Sequence, residues 1–263
     1  DLWSVVSEVD LIAFPDTGLG GLQEHLEEVG HRVWGSRKGD QLELRRLWFR
    51  KLQREMGLEV PVHASVRGLP QLREFLKDHH GWYVKISRYR GVAETFCYHD
   101  DVRGGVKLDH LAMRLGPLQD DFPFLVEAPI EAIVETGYDG YCVDGKWPEV
   151  GIQGIEGKDK TYIGAVTAVK DMPPCLPEIN DALSEFMEAV RYRNFFSSEV
   201  RVTEDEKAYL TDPTCRHASP AGESLCELMD NLSDVMWEGA EGQLVQPKWS
   251  AKFAVQAMVE HPE

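Results

Sequence analysis

The stretch FFSSEVRVTEDEKAYLTDPTCR, residues 195–216, contains two strand-like runs joined by the charged turn TEDEK. Alternation of apolar and polar residues on both sides of such a turn predicts an antiparallel hairpin. Glu199 lies on the first strand and Asp212 at the end of the second, so the two carboxylates are expected to face each other. Facing carboxylates can share a hard cation such as Mg²⁺, which prefers oxygen ligands and keeps open positions for phosphate. From spacing alone, two solvated strand carboxylates are an open alternative.

Two further side chains of this hairpin are candidates for the same site. Thr214 offers a hydroxyl, and Arg216, four residues beyond Asp212, would place a positive charge beside the carboxylates. Thr214 can equally be a packed turn residue and Arg216 a surface arginine, so neither defines a site by itself.

Lys85 interrupts the otherwise apolar strand pattern WYVKI, residues 82–86. A lysine inside a strand is costly unless its ammonium group reaches water or an anion. The following turn, SRYRG, adds Arg88 and Arg90, and together these cations could close on the oxygens of a triphosphate. An edge-strand lysine followed by a basic loop is the alternative interpretation.

Residues 40–57 predict one long amphipathic helix, with Asp40 capping its start and Gly57 closing its end. Arg46 lies on this helix, where a solvated helix face is the simpler explanation. The apolar face of the predicted helix consists of Leu44, Leu47, Trp48, Leu52 and Met56.

The segment VEAPIEAIVE, residues 126–135, joins two predicted strands through a proline. Its backbone offers N–H and C=O groups to an adenine ring, and Glu127 and Glu135 could accept hydrogen bonds from the adenine amino group and the ribose hydroxyls. Ordinary strand carboxylates would give the same pattern.

The remaining pattern predicts α+β lobes around antiparallel sheet rather than one doubly wound sheet. TGLGG, residues 17–21, follows a strand and opens a helix, and a tight turn is favoured there over a phosphate-binding nest. The other predicted elements are strands at 9–14, 82–86, 93–99, 122–127 and 133–146, a βαββαβ lobe over about 60–127, and helices at 22–29, 107–115, 178–190 and 221–238.

Composition excludes several classes of protein. The chain has 45 acidic and 28 basic residues among 263, a formal charge of −17, which disfavours general binding to nucleic acid or anionic membranes. Five dispersed cysteines without a CxxC pair argue against a disulfide framework and fit a reducing, cytoplasmic location. No apolar run approaches the roughly 20 residues that a membrane span needs. The sequence also lacks the P-loop, GxGxxG, GxSxG and HExxH motifs.

Taken in chain order, these segments resemble the ATP-grasp superfamily, most closely its phosphoribosylamine–glycine ligase branch, over about residues 9–247. LRRLWFRKLQREMGLEVPV is similar to the family's lysine-bearing helix, and Arg46 stands at the first phosphate-binding lysine. The resemblance implies that Lys85 is the second phosphate-binding lysine, on the lid strand. Arg46 preserves the charge but not the geometry of lysine.

The resemblance also assigns the nucleotide hinge and the acceptor segment. FLVEAPIEAIVE resembles the adenine hinge, with Glu127 as the hinge glutamate, Ala128 to Ile130 as backbone contacts and Glu135 as the ribose-binding acid. GIEGKDKTYIGAV is similar to the segment that runs toward the acceptor site, which makes Lys158 and Lys160 candidates for acceptor binding.

The hairpin resembles the paired-strand metal motif of the family, whose second half usually reads Glu-x-Asn-x-Arg. The resemblance implies metal binding by Glu199, Asp212 and Thr214, and it implies that Arg216, with Lys85, acts catalytically on the transferred phosphoryl group. Thr214 replaces the usual asparagine, and the loop after Lys85 has one glycine where the family has several.

The implied protein is an ATP- and Mg²⁺-dependent ligase, with Mn²⁺ as the substitute metal, that converts a small-molecule carboxylate into an acyl phosphate and joins it to an amine. A nucleotide-binding regulatory module without turnover is the alternative, and a purely structural protein is a third hypothesis. The expected domains are a partial N-terminal α/β (pre-ATP-grasp) domain at 1–39, a lid lobe at 40–127 and a large lobe with the metal site at 128–263.

Overall fold

A computed structural model provides the coordinates of the chain. The structure describes residues 2–87, 95–100, 102–157, 161–257 and 259, without the side chains of Leu2 and Arg103. Within these ranges the strands are β1 (Ile12–Ala13), β2 (Val33–Trp34), β3 (His63–Arg67), β4 (Trp82–Ile86), β5 (Thr95–Tyr98), β6 (Pro123–Glu127), β7 (Ala132–Val143), β8 (Val150–Gly157), β9 (Thr161–Ala168), β10 (Arg193–Thr203), β11 (Ala208–Thr214) and β12 (Phe253–Ala257).

The α-helices vary from one turn to four turns in length. They are α1 (Leu2–Val5), α2 (Gly20–Glu28), α3 (Gln41–Leu44), α4 (Arg46–Glu55), α5 (Leu69–Leu76), α6 (Arg103–Leu115), α7 (Cys175–Ala189), α8 (Ala221–Leu228) and α9 (Leu232–Ala240). Within the described ranges, none of the helices combines the length and the apolarity that a bilayer crossing requires.

The smaller lobe is a four-stranded antiparallel sheet of order β3–β6–β4–β5 with α5 and α6 packed on it. Its chain order is βαββαβ, as the sequence predicts. The core between sheet and helices includes Leu72, Leu76, Val84 and Phe96. Because β4 lies between β6 and β5, Lys85 is on a central strand, and the edge-strand interpretation of this lysine is wrong.

The larger lobe is a six-stranded antiparallel sheet of order β11–β10–β7–β8–β9–β12. One face packs on α4 and α7 through residues such as Phe196 and Leu183, and the other packs on α8 and α9 through Tyr141 and Leu225. The predicted hairpin is therefore the β10–β11 pair at one edge of a long sheet.

The predicted continuous helix over 40–57 is wrong, because the chain leaves helical geometry at Arg45 (φ −116°, ψ 66°) and forms α3 and α4 instead. Both pieces contact the same strand: Glu43 on α3 accepts from the Cys215 amide just beyond the end of β11, and Arg46 on α4 binds Asp212 within β11. Asp40 does not cap the helix. Its carboxylate accepts hydrogen bonds from the Gly18 amide and the Gln41 side chain at 3.0 and 2.7 Å.

Other elements depart from the sequence prediction. The helix expected over 221–238 is two helices, α8 and α9, and strands β8, β9 and β12 were not predicted. Glycines hide the pattern in β8 and β9, yet they are needed there, because a Cβ at Gly154 would overlap the hydroxyl of Tyr162 and a Cβ at Gly151 would overlap the ring of Tyr138.

Residues 2–40 form a small parallel pair, β1–β2, with α2 between the strands in sequence. The segment attaches to the large lobe through the Gly35–Arg193 backbone bridge. Residues 16–18 bend toward the start of α2, and the Gly18 amide donates to the Asp40 carboxylate, while Gly20 and Gly21 belong to the helix. Assignment of 1–39 to a partial separate domain stays a prediction.

The turn into α5 yields a test of the small-lobe fold. Gly68 has φ +84°, and a Cβ there would lie 2.5 Å from the Asp120 carbonyl oxygen, whereas Gly81 has φ +80° and open space around it. We expect Gly81→Ala to cost about 1–2 kcal/mol for left-handed strain and Gly68→Ala at least about 1 kcal/mol more for the added clash. Urea unfolding measures both, and equal losses would contradict this account.

Candidate functional site

A cavity of about 850 Å³ lies between the two sheets. Its lining residues range from Arg46 to Ala221 in the sequence. The predicted site residues that line it are Arg46, Lys85, Glu127, Ala128, Ile130, Glu135, Glu199, Asp212, Thr214 and Arg216. Lys158 and Lys160, and the loop with Arg88 and Arg90, lie outside the described residues.

Glu199 and Asp212 face each other across β10 and β11, as the sequence predicts. They are paired in the strand register, and Ser197 and Thr214 form the neighbouring pair. Their side chains are 41% and 34% exposed, and both line the cavity. The hairpin geometry is therefore confirmed, while the metal-binding role of these residues remains to be tested.

The two carboxylates differ in their electrostatic surroundings. Burial, with repulsion from Asp212 and Glu135, raises the pKa of Glu199. Burial would also raise the pKa of Asp212, but Arg46, whose Nη1 is 3.1 Å from Asp212 Oδ1, and Lys85 outweigh it and lower that pKa. Glu199 and Asp212 repel each other in the shared cavity, and a divalent cation bound between their carboxylates would remove this repulsion.

The set of metal donors on the protein is small. Among the described residues, no cluster of three or more Asp, Glu, His or Cys side chains is arranged to hold a metal ion. Mg²⁺ is commonly bound by one or two carboxylates together with substrate phosphates. Glu199 and Asp212, with the Thr214 hydroxyl beside them, thus fit an ion that shares its coordination with phosphate and do not form a closed protein cage.

Lys85 and Glu127 form a buried ion pair on the small-lobe side of the cavity. Lys85 Nζ lies 3.1 Å from Glu127 Oε2 and donates to the Thr211 carbonyl oxygen at 3.1 Å. Burial lowers the pKa of this lysine. For Glu127, burial acts to raise the pKa, but Lys85 and Arg50 together outweigh it and lower the pKa to about 2. Glu127 is therefore an ionised anchor for the two cations.

Arg50 is a central residue that the sequence analysis missed. Its guanidinium makes an ion pair with Glu127 of β6 and donates to the carbonyl oxygens of Thr211 and Leu210 on β11 at 2.8 and 3.3 Å. It thus connects the small-lobe sheet to the hairpin of the large lobe. The sequence signal was a polar stripe at helical spacing, Arg46, Arg50 and Gln53, on the buried side of α4.

The hinge between β6 and β7 presents backbone groups to the cavity. The Ala128 amide donates to the Val62 carbonyl, and the Ile130 carbonyl accepts from the Ala132 amide, both at 2.9 Å. Among the described residues, the Ala128 carbonyl and the Ile130 amide have no hydrogen-bond partner within the protein, so both are available to a ligand in the cavity. Glu135 Oε2 lies 3.1 Å from Arg201 Nη2. Arg201 is a second site residue that was not predicted from the sequence.

Arg216 is held at the opposite end of the cavity by another missed residue, Glu43. Arg216 Nε lies 3.0 Å from Glu43 Oε1, while Glu43 Oε2 accepts from the Cys215 amide at 3.0 Å. Because Glu43 is buried, the arginine is fixed in direction while its side chain remains 22% exposed. Its guanidinium is thus oriented at the cavity wall near Thr214.

Asp139 of β7 is a further missed carboxylate at the cavity wall. The residue is 6% exposed, and its Oδ2 accepts from the Tyr162 hydroxyl at 2.6 Å. Burial raises the pKa of Asp139 to about 6, although hydrogen bonds from Ser197 and Tyr162 oppose the rise. An acidic residue in the apolar strand GYDGYCV was the available signal, of the same kind as Lys85 in WYVKI.

Comparison with known proteins agrees with this arrangement at the level of the fold. No protein-family model matches the sequence, and no curated protein matches it significantly. N5-carboxyaminoimidazole synthetase from Staphylococcus aureus, solved with ADP, is similar in structure (TM-score 0.66, 14% identity), covering 97% of this chain and 66% of that one. Phosphoribosylamine–glycine ligase from Thermotoga maritima has a TM-score of 0.63 at 16% identity, covering 86% and 61%.

A third similar structure is D-alanine–D-alanine ligase from Bacillus anthracis, solved with ATP, with a TM-score of 0.62 at 17% identity and coverage of 92% and 82%. The chain thus has the ATP-grasp fold. Of these three structures, two were solved with an adenine nucleotide. The chain spans about two thirds of the length of the first two.

The buried Arg50 generates a prediction about stability. Arg50→Met would leave two carbonyl groups without this donor and Glu127 with Lys85 alone, so we expect a loss of about 3–5 kcal/mol in unfolding free energy. Arg54→Met, on the exposed face of the same helix, is the matched control and should change stability by less than about 0.5 kcal/mol. Urea unfolding compares them, and similar small losses would refute the role given to Arg50.

Asp139 generates a prediction about pH. Its folded-state pKa of about 6 exceeds the unfolded value of about 3.9, so its contribution to stability is greatest below about pH 4 and falls until about pH 6. We expect the stability of Asp139→Asn relative to the unsubstituted protein to rise by about 2–3 kcal/mol from pH 4 to pH 7. Unfolding free energies measured across this range test it, and a pH-independent difference would contradict it.

Proposed function

We propose that the protein is an ATP- and Mg²⁺-dependent ligase that activates a small-molecule carboxylate as an acyl phosphate and joins it to an amine. The observation that carries the proposal is one cavity in which Lys85 of the small-lobe sheet and Arg46 of α4 lie with the paired carboxylates Glu199 and Asp212 of the large-lobe hairpin. The ATP-grasp fold supports it. ATP, with Mg²⁺ or Mn²⁺, would supply the phosphoryl group and the cation that neutralises its charge.

Arg46 and Lys85 would bind phosphate oxygens at the boundary between the lobes. Both are buried at this boundary, where electrostatic interactions are stronger than in water. Their present partners, Asp212 and Glu127, hold them in place by ion pairs. Glu199 and Asp212, with Thr214, would hold the metal, and Arg216 would stabilise the transferred phosphoryl group.

The hinge would bind the nucleoside. The carbonyl of Ala128 and the amide of Ile130 match the donor–acceptor pattern of an adenine edge, and Glu135 would accept from the ribose hydroxyls. Because Glu127 is committed to Arg50 and Lys85 in this structure, we assign it an anchoring role and leave the adenine contacts to the backbone. Lys158 and Lys160 remain candidates for acceptor binding, and a cytoplasmic location remains a prediction.

A nucleotide-binding module without turnover is the second candidate function. It is favoured by Thr214 at the third metal position and by the loop after Lys85, which has one glycine where the family has several. Both functions predict binding of ATP, so only release of ADP distinguishes them.

The proposed function predicts carboxylate-dependent release of ADP. The twenty amino acids and simple dicarboxylates are tested as carboxylates, with Mg²⁺ and a panel of primary amines. We expect the double substitution Glu199→Gln plus Asp212→Asn to lower the rate of carboxylate-dependent ADP release by about 10³-fold or more, because the metal and the phosphates are no longer held in position. ATP–Mg²⁺ should also raise the melting temperature of the unsubstituted protein.

Glu204→Gln plus Glu206→Gln is the matched control, since it removes two charges from the exposed turn of the same hairpin. This variant should keep full activity. Unchanged turnover in the Glu199 and Asp212 double variant would refute the metal assignment. Stabilisation by ATP–Mg²⁺ without ADP release for any carboxylate would favour the regulatory module, and no stabilisation would exclude both functions.

A further inference from the structure

Asp139 differs from the other carboxylates described in the cavity by the kind of partner it has. Glu127 is bound by Lys85 and Arg50, and Asp212 by Arg46. Asp139 instead accepts hydrogen bonds from two uncharged hydroxyls, those of Tyr162 and Ser197. A buried carboxylate with neutral donors at a cavity wall has an incomplete charge balance, which a cationic ligand group would complete.

The local structure is built to hold this carboxylate in one orientation. Tyr162 lies on β9, two strands from Asp139, and its ring crosses Gly154 and Gly164 to reach Oδ2. A Cβ at Gly154 would collide with the Tyr162 hydroxyl and with Asp139 Oδ2. The glycines thus clear a path for the Tyr162–Asp139 hydrogen bond across the floor of the cavity.

The strand register gives the position of Asp139 along the floor. In antiparallel pairs, residues directly opposite each other point to the same face. From the hinge outward, successive rows on the cavity face are Arg201 with Glu135, Asp212 with Glu199 and Gly137, and Thr214 with Ser197 and Asp139. Asp139 is four residues and so about 13 Å beyond Glu135, with the row of the carboxylate pair between them.

Because of this order, the two ends of the cavity carry different acidic side chains. The ribose acid is nearest the hinge, the paired carboxylates follow, and Asp139 lies on the far side of them. A group that reacts after phosphoryl transfer must approach from that far side. A carboxylate substrate would be repelled by Asp139, whereas a positively charged amine would be attracted.

We propose that Asp139, oriented by Tyr162 and Ser197, binds the ammonium group of the acceptor and takes the proton that makes it a nucleophile. This inference rests on the proposed function and names its acceptor class: an amine that is cationic in solution. Asp139 is then a catalytic residue, and Tyr162 and Ser197 are positioning residues.

The proton and electron balance of the step is complete. The ammonium gives one proton to the Asp139 carboxylate, and the nitrogen lone pair forms a C–N bond with the acyl carbon. The bond between that carbon and the phosphate oxygen breaks, and its electron pair leaves with phosphate. The second proton of the nitrogen goes to the departing phosphate, so the products are amide, hydrogen phosphate and protonated Asp139.

The raised pKa of Asp139 agrees with a base that works near neutral pH. Several charged or titratable groups on packed elements line this cavity and would share in any pH profile. They are Tyr162 of β9, Glu156 of β8, Glu199 of β10, Asp212 of β11 and Arg216 before α8.

Hydroxylamine and cationic amines give the decisive comparison. Hydroxylamine is uncharged at neutral pH and traps acyl phosphates as hydroxamates without a protein base. We expect Asp139→Asn to keep hydroxamate formation within about twofold while ligation of the cationic amines of the panel falls by about 100-fold or more. Equal retention of both reactions, or equal loss of both, would overturn the assignment.

Tyr162→Phe tests the positioning role. Because the Tyr162 hydrogen bond opposes the rise in the Asp139 pKa, its removal should shift the acidic limb of kcat/KM for the amine to higher pH. Tyr141→Phe is the control, since it removes a buried hydroxyl that binds the Val245 carbonyl instead. The same limb in both variants would refute the role of Tyr162.

A readout independent of turnover is the carboxyl carbon signal of Asp139 in nuclear magnetic resonance. A carboxyl that titrates near pH 6 should be present in the unsubstituted protein, absent in Asp139→Asn and shifted upward in Tyr162→Phe. Its absence in the unsubstituted protein would overturn the inference. If the unsubstituted protein forms no hydroxamate with any carboxylate, the proposed function itself fails and this inference with it.

Discussion

The buried contact of Arg50 with Glu127 is the interaction on which the site depends. Glu127 belongs to the small-lobe sheet, while Arg50 also binds the carbonyls of Thr211 and Leu210 on the hairpin of the large lobe. Lys85 adds a second link through Glu127 and Thr211. Three charges withdrawn from water are tolerable only when they satisfy one another. The cluster therefore fixes the relation of the lobes and the position of Lys85 in the cavity.

The large-lobe sheet sets the distances along the cavity floor. Antiparallel pairing places Glu135, Glu199 and Asp139 in successive rows, each separated from the next by one side-chain repeat. At the glycines of β7, β8 and β9 no side chain projects from the sheet, which leaves room for the Tyr162 ring to cross it. A sequence segment that looks weakly structured because of its glycines is thus a rigid part of the site.

Much of the site was predictable because its residues violate local patterns. Lys85 is a charged residue in an apolar strand, and the facing of Glu199 and Asp212 follows from hairpin pairing. Asp139 carries the same signal as Lys85 but was missed. Arg50 and Glu43 were missed because an arginine or glutamate on an amphipathic helix is usually solvated, and only tertiary packing decides that these are buried. The break at Arg45 was missed for the same reason, since the residues on either side of it, Glu43 and Arg46, are buried by contacts with a distant strand.

By itself the sequence determined the hairpin, the βαββαβ lobe, the strand around Lys85 and the overall class, because side-chain periodicity and turn chemistry are local properties. The tertiary structure decided which charges meet. It committed Glu127 to Arg50 and Lys85, oriented Arg216 through Glu43 and left Asp139 with hydroxyl partners. Such pairings depend on desolvation and on contacts between residues distant in sequence, and no local pattern records them.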